Sequence, residues 1–116
     1  MITLGLARLG DAPRIANMSR TLIEAGLPWS WTPRRVAAHM RGREHLAVIA
    51  TAENELAGFA LAQFGSSNVH LTLLAVAAHY QRLAVGRRLV EWVEESAVVA
   101  GLFTMGLEVR ASNRGA

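Results

Sequence analysis

Cysteine is missing from all 116 residues, so disulfides and thiolate-held metals are excluded, and a reducing compartment is compatible with the chain. Lysine is missing too: the 12 basic residues are all arginine. Arginine stays protonated over the ordinary pH range, so an isoelectric point of about 11.0 overstates a net charge of only +3. Aromatic residues make up only 6% of the chain, and the arginines are dispersed along it. A nucleic-acid-binding face needs clustered arginines interleaved with aromatics, so no nucleic-acid partner is expected. No apolar run is long enough to span a bilayer, and MITLGLARLGD has no basic segment before its apolar residues. A soluble, cytoplasmic protein without membrane contact is the expectation.

What is present is a chain that is 52% hydrophobic and 18% charged, which suits one folded domain over residues 1–116. Residues 2–9 read as a strand. Asp11 and Pro13 then mark a helix start, with Ile15, Met18 and Leu22 at helical spacing and Gly26 as a stop. After the loop LPWSW, Thr32 and Pro33 repeat the cap-then-proline signal for a second helix to about Gly42, burying Val36 and Met40. HLAVIATA and LAGFALAQF read as strands joined by a turn at Glu53, Asn54 and Glu55; a second turn at 65–68 leads into VHLTLLAVA. A helix over 86–100 should bury Leu89, Val93 and Ala97, and FTMGLEVR is a last strand.

The predicted order is β-α-α-β-β-β-α-β. It implies a mixed α/β (α+β) fold: a mainly antiparallel sheet flanked by helices, with one parallel pair at the end. The last strand would lie at a sheet edge, which folds normally cover. A further helix starting in ASNRGA, or a second subunit in a homodimer, is expected to cover it.

Between the third antiparallel strand and the long helix runs Gln81-Arg82-Leu83-Ala84-Val85-Gly86, followed by Arg87 and Arg88. Small residues at 84 and 86 allow a tight turn and close approach of another group. Successive N–H groups in such a turn, with those of the helix N-terminus, form a nest suited to a phosphate. A plain strand-to-helix turn explains the same residues, with Arg87 and Arg88 pairing to Glu91. On spacing alone neither outweighs the other.

The stretch Q-R-x-A-x-G-R-R-L after an apolar strand resembles the acyl-CoA pyrophosphate loop of the GNAT N-acetyltransferases. PWS (28–30) and LEVRASN (107–113) are similar to the branch of that family that acetylates the N-terminal alanine of a ribosomal protein. The resemblance implies a GNAT-like fold, acetyl-CoA as cosubstrate and an amine acceptor, either a peptide N-terminus or a small molecule. It implies that Gln81, Arg82, Leu83 and Ala84, continuing through Val85, Gly86 and Arg87, hold the pyrophosphate. The main chain of Leu74 and Val76 would pair with the pantetheine arm, and Asn113 would lie near CoA. The family's A-x-x-F-Y-x-x-x-G-F segment, whose tyrosine serves as acid toward the thiolate, would follow Gly115, so the chain is expected to be an incomplete copy of the fold. A non-catalytic acyl-CoA-binding module is the alternative.

Acetyl transfer needs a proton acceptor, because only a neutral amine attacks a thioester. The resemblance puts Glu108 in that role; without it, a strand carboxylate paired to Arg110 or simply solvated is the simpler account. His70 is the second candidate base, expected on a face shared with Thr72 and Leu74. Trp29 and Trp31 lie in the loop that the resemblance places on the acceptor side, where they shape the amine pocket or serve as core anchors. His39 and His45 show no metal-like spacing, and no metal is expected.

Overall fold

A computed structural model of the chain describes residues 1–101 and the backbone of residues 104–106 and 110–111. Strand β1 (Ile2–Leu6) leads through a 3-10 turn (Leu9–Asp11) into helix α1 (Ala12–Leu22), and α2 (Pro33–Arg41) follows. Strands β2 (His45–Ala52), β3 (Glu55–Phe64) and β4 (Asn68–Val76) come next. A 3-10 segment (Ala78–Leu83) then enters α3 (Val85–Val99), and two short pieces, β5 (Thr104–Gly106) and β6 (Arg110–Ala111), complete the order. The sheet runs β1-β2-β3-β4-β5, antiparallel as far as β4, with β5 and β6 both parallel to β4. This is the expected order, with the last strand in two pieces along one edge. Of ASNRGA, Ala111 belongs to β6, and the remainder lies outside the described residues.

Local signals explain most boundaries. Thr32 accepts the Arg35 N–H at 3.3 Å and Pro33 opens α2, a side-chain cap followed by a residue with no N–H to lose. Asp11 stands at the N-cap position of α1 as expected, but its side chain does not cap that helix. Its carboxylate accepts the Arg8 N–H at 2.8 Å and pairs with Arg14, so it closes the preceding 3-10 turn. Arg14 also donates to the carbonyl of Asn54 at 2.9 Å, tying α1 to the β2–β3 hairpin. In that hairpin Glu53 and Asn54 have φ of 50° and 73°, the two-residue turn that matches strand twist. In α2 the buried positions are Val36 and His39, whereas Met40 is only partly buried.

Helix α3 covers one face of the sheet and α1 with α2 covers the other. The α3 layer buries Val85, Leu89, Val93 and Ala97 against Val48, Ala60, Val69 and Leu71. The opposite layer holds Ile15, Trp31, Val36, Phe59, Leu61 and Leu73. Gly58 permits close contact with α3: a Cβ there would stand 2.8 Å from the Ala75 carbonyl and 3.3 Å from both Leu89 and Val85. Burial of Leu89 and Val93 contributes about 1.5–3 kcal/mol each by the usual transfer scale.

Two bulges shape β3 and β4. The β2–β3 register shifts after Ala50, leaving Ala57 unmatched, and the β3–β4 register shifts between Leu61 and Ala62, leaving Thr72 unmatched. An extra residue reverses which side chains face which layer beyond it. Val69 and Leu71 therefore face α3, while beyond Thr72 it is Leu73 and Ala75 that face α1 and α2, and Leu74 that turns toward α3.

Candidate functional site

The strand-to-helix connection after β4 is held from three sides. The Ala77 N–H bonds the Ala57 carbonyl at 2.8 Å, and the Tyr80 N–H bonds the Ala77 carbonyl at 2.8 Å. The Gln81 amide donates to the Val76 carbonyl at 3.1 Å. The Tyr80 hydroxyl donates to Glu55 at 2.9 Å, and this bond to a carboxylate holds the phenol above its ordinary pKa of 10.0. Tyr80 flanks the loop as a structural residue, and its bond to Glu55 was not legible in sequence, because 25 residues separate the two and only the β3–β4 pairing brings them together.

Ala84 sits at φ 57°, ψ 24°, in the left-handed region, directly after the 3-10 segment and directly before α3. That alternation turns consecutive N–H groups to one side, which makes a concave donor site. No side chain caps α3. Arg88 is the first residue whose N–H bonds back into the helix, to the Ala84 carbonyl at 3.0 Å, so the N–H groups of Val85, Gly86 and Arg87 lack helical partners. Gly86 does not have positive φ, and a Cβ there would meet only Val76 at 3.5 Å, an ordinary contact. The fold has room for alanine there; what glycine adds is open space above the helix mouth.

The charges follow the same geometry. Arg82 is exposed and makes no hydrogen bond or ion pair among the described residues. Arg87 approaches Glu91 only to 3.9 Å with its side chain 77% exposed, a pair worth little against water. Arg88 does not join that pair as the plain-turn alternative required; it donates to the Ile2 carbonyl at 3.3 Å, on the far edge of the sheet. Arg82, without a partner among the described residues, and Arg87, in a weak exposed pair, thus lie in the same loop and first turn as the uncapped helix N–H groups. Cations at the positive end of a helix are unfavourable unless an anion lies between them. Leu83 is 56% exposed at the loop crest, while Val85 is fully buried and anchors the mouth to the core.

Main-chain direction at the end of β4 is also informative. Ala77 bonds across to β3, so by strand alternation Val76 and Leu74 point their N–H and C=O groups to the opposite edge. On that edge Leu74 lies beside Ala111 of β6, the Val76 carbonyl is taken by Gln81, and no described strand pairs with Val76. Beyond Leu74 no described strand covers this edge toward the loop.

Of the proposed bases, Glu108 lies outside the described residues, as does Asn113. His70 pairs with Gln63 on β3 and with Gly106 on β5, and its Nδ1 is buried without a hydrogen-bond partner among the described residues. Lying between Val69 and Leu71, it faces the α1–α2 layer. It does not share a face with Leu74 as expected, because the bulge at Thr72 intervenes. Trp31 is 6% exposed and packed in the core, with the Arg35 guanidinium 3.9 Å from its ring centroid and His39 edge-on at 5.9 Å. It is a core anchor. Trp29 is partly buried with Arg20 over its ring at 5.0 Å, and its indole nitrogen is buried without a partner. Among the described residues, no cluster of three or more histidine, cysteine or acidic side chains is arranged to hold a metal ion. Nor is any described helix long and apolar enough to cross a membrane.

The loop between α1 and α2 contains a group that sequence reasoning passed over. Glu24 is 2% exposed. Its carboxylate accepts the Ser19 hydroxyl at 2.7 Å, the Ser30 N–H at 2.7 Å and the Ser30 hydroxyl at 2.9 Å. The Trp31 N–H lies at 3.2 and 3.3 Å from its two oxygens. Burial by itself would raise this carboxyl's pKa; the hydrogen bonds from Ser30, Ser19 and Trp31 outweigh burial and hold it below its ordinary 4.5. No local signal marks Glu24, since its donors lie five to seven residues away, Ser19 in α1 and Ser30 and Trp31 in a loop with no periodic pattern.

The ribosomal protein bS18-alanine N-acetyltransferase of Salmonella typhimurium is 34% identical over 89 residues, which are 77% of this chain and 58% of that protein's length. The chain therefore spans less than two thirds of the curated relatives it matches. The solved ribosomal-protein-S18-alanine N-acetyltransferase from Escherichia coli superposes with a TM-score of 0.78 at 30% identity, covering 98% of this chain and 70% of that one. An aminoglycoside 6'-N-acetyltransferase solved with coenzyme A shares the fold, with a TM-score of 0.77 at 24% identity over 90% of this chain and 60% of that one. The model of the acetyltransferase (GNAT) family matches residues 16–116, and the chain belongs to that family.

Proposed function

We propose that this chain binds acetyl-CoA through the loop at the mouth of α3, as part of an N-acetyltransferase that passes the acetyl group directly to an amine in a ternary complex. The observation that carries this is the left-handed Ala84 next to an uncapped helix start, flanked by the exposed Arg82 and Arg87. The anion is the CoA pyrophosphate, and the segment from Gln81 to Arg87 is its cradle. The pantetheine arm runs along the β6-side edge of β4, beside Leu74 and Val76, with Asn113 near it. Kinship with the bS18-alanine enzymes favours a peptide N-terminus as acceptor over a small-molecule amine.

In the reaction the neutral amine attacks the thioester carbonyl, a C–N bond forms, the C–S bond breaks, and CoA leaves as a thiolate that takes up a proton. Glu108 is the proposed acceptor of the amine proton, directly or through water, and His70 is the alternative. Replacement of Glu108 by Gln should cut turnover strongly at neutral pH with CoA binding nearly intact; unchanged turnover removes Glu108 from the mechanism.

The deciding experiment is calorimetric titration with acetyl-CoA and with S-acetylpantetheine, which lacks the pyrophosphate, using the native chain and Gly86→Glu. Saturable binding of acetyl-CoA alone, lost in the variant, is the expected result. Equal binding of both ligands, or of acetyl-CoA by both proteins, would overturn the assignment of the loop.

A further inference from the structure

Resting on that acetyltransfer reading, we infer that Glu24 is the positioning residue of the acceptor side: its buried carboxylate fixes Ser30 and Trp31, and so sets the α1–α2 loop against β4.

A buried acid near a transferase site invites a role as base, but this one has little capacity left for it. Oε1 accepts from the Ser30 N–H, the Ser30 hydroxyl and the Trp31 N–H, and Oε2 accepts from the Ser19 hydroxyl and the Trp31 N–H. A carboxylate so saturated has no ready lone pair for an incoming proton, and its hydrogen bonds favour the ionised form. Its function is therefore structural at short range. A loop without regular hydrogen bonding is given one by a single side chain, which supplies acceptors for two main-chain N–H groups.

The direction of that constraint points to the acceptor. Trp31 hangs from the carboxylate by its N–H, and its ring packs in the same layer as Leu73 and Ala75 of β4. That is the strand along whose other edge the pantetheine arm is proposed to run. Trp29, immediately before Ser30, keeps an indole N–H with no partner in the same loop. Loosening the carboxylate releases the loop over β4 on the α1–α2 face, while the pyrophosphate cradle, at the mouth of the helix on the other face, keeps its own supports in Gln81, Ala57 and Tyr80. Acceptor binding and cosubstrate binding should separate.

The test compares the native chain with Glu24→Gln, which keeps size but places an amide N–H group where only acceptors fit. Ser30→Ala, which removes one hydroxyl donor and spares the carboxylate, is the second variant. The probe acceptor is a hexapeptide with N-terminal alanine, and KM for peptide and for acetyl-CoA are measured together with amide exchange at Ser30 and Trp31. In Glu24→Gln the peptide KM should rise about tenfold and exchange at both amides should accelerate, with the KM for acetyl-CoA changed less than about twofold. Ser30→Ala should move the same quantities in the same direction by about threefold, and it answers the question if Glu24→Gln fails to fold. Faster exchange with an unmoved peptide KM, or equal rises in both KM values, would overturn the positioning role alone. A native chain that turns over no peptide would instead overturn the acetyltransfer reading, and this inference with it.

Discussion

The Gln81 side-chain amide donates to the Val76 carbonyl at 3.1 Å, closing the end of β4 onto the loop that follows it. The bond occupies the last β4 carbonyl on the β6-side edge and ties the loop to the strand. Gln81→Leu removes the donor while keeping similar bulk. It should weaken acetyl-CoA binding about five- to tenfold, in keeping with one hydrogen bond of about 1–1.5 kcal/mol, with a much smaller effect on the unfolding midpoint. Titration calorimetry and a denaturant curve decide this, and an unchanged affinity would make the bond incidental.

Ala84 is an L-residue held at φ 57°. Left-handed backbone costs such a residue about 1–2 kcal/mol, which glycine avoids while losing about 0.5–1 kcal/mol in chain entropy. Ala84→Gly should thus stabilise the fold by up to about 1 kcal/mol, whereas Ala84→Val should destabilise it by about 1–3 kcal/mol through a β-branch in the same conformation. Urea unfolding measures both.

Gly58 and Gly86 should respond oppositely to alanine. At Gly58 the new methyl would press on the Ala75 carbonyl at 2.8 Å, and backbone yields poorly, so a loss of about 1–3 kcal/mol is expected. At Gly86 the methyl meets only Val76 at 3.5 Å, and the better helix former should leave stability unchanged or raised by up to about 1 kcal/mol. Acetyl-CoA affinity should nevertheless fall in Gly86→Ala, because the methyl adds bulk in the first turn, whose N–H groups are the proposed donors to the pyrophosphate. Equal affinity would argue that no ligand approaches there.

Two buried groups set the acid limit of stability. Burial foremost, assisted by the nearby His45 and Arg35 charges, lowers the His39 pKa from its ordinary 6.5, against the pull of its bond to the Leu46 carbonyl. The Glu24 carboxyl also lies below its ordinary 4.5. For both, the unfolded chain binds the proton first as pH falls, so the stability each contributes is complete above the ordinary value and lost on descent through the lowered one. Thermal midpoints should decline below about pH 6.5, and again below about pH 4.5, the second decline being absent in Glu24→Gln. A midpoint flat from pH 7 to pH 4 would contradict the role assigned to His39.

Arg82 and Arg87 have no strong partner in the unliganded fold, so their removal should cost binding and not stability. Arg82→Ala and Arg87→Ala should each weaken acetyl-CoA binding about three- to tenfold at low salt, and less at high salt, where screening shortens the reach of the charge. The thermal midpoint is the control, and a matching loss of stability would place these arginines in the fold's own framework.

Periodicity, caps and turn residues determined the element order, because each acts within a few residues: Thr32 with Pro33, Glu53 with Asn54, Leu89 with Val93 and Ala97. The strand-to-helix loop 81–87 and its arginines were legible for the same reason, since a helix start is local, whereas its reading as an anion site came from the family resemblance and not from spacing. The tertiary structure alone decided matters that depend on register and distance. A single unmatched residue, Thr72, reverses the faces of β4 and separates His70 from Leu74, and no composition rule reveals where a strand will bulge. Arg88 finds its carbonyl on β1, 86 residues away, because α3 crosses the sheet toward that edge. Glu24 reads in sequence as one more solvated acid. Burial made it otherwise, because folding removed its water and only Ser19, Ser30 and Trp31 were left to replace it.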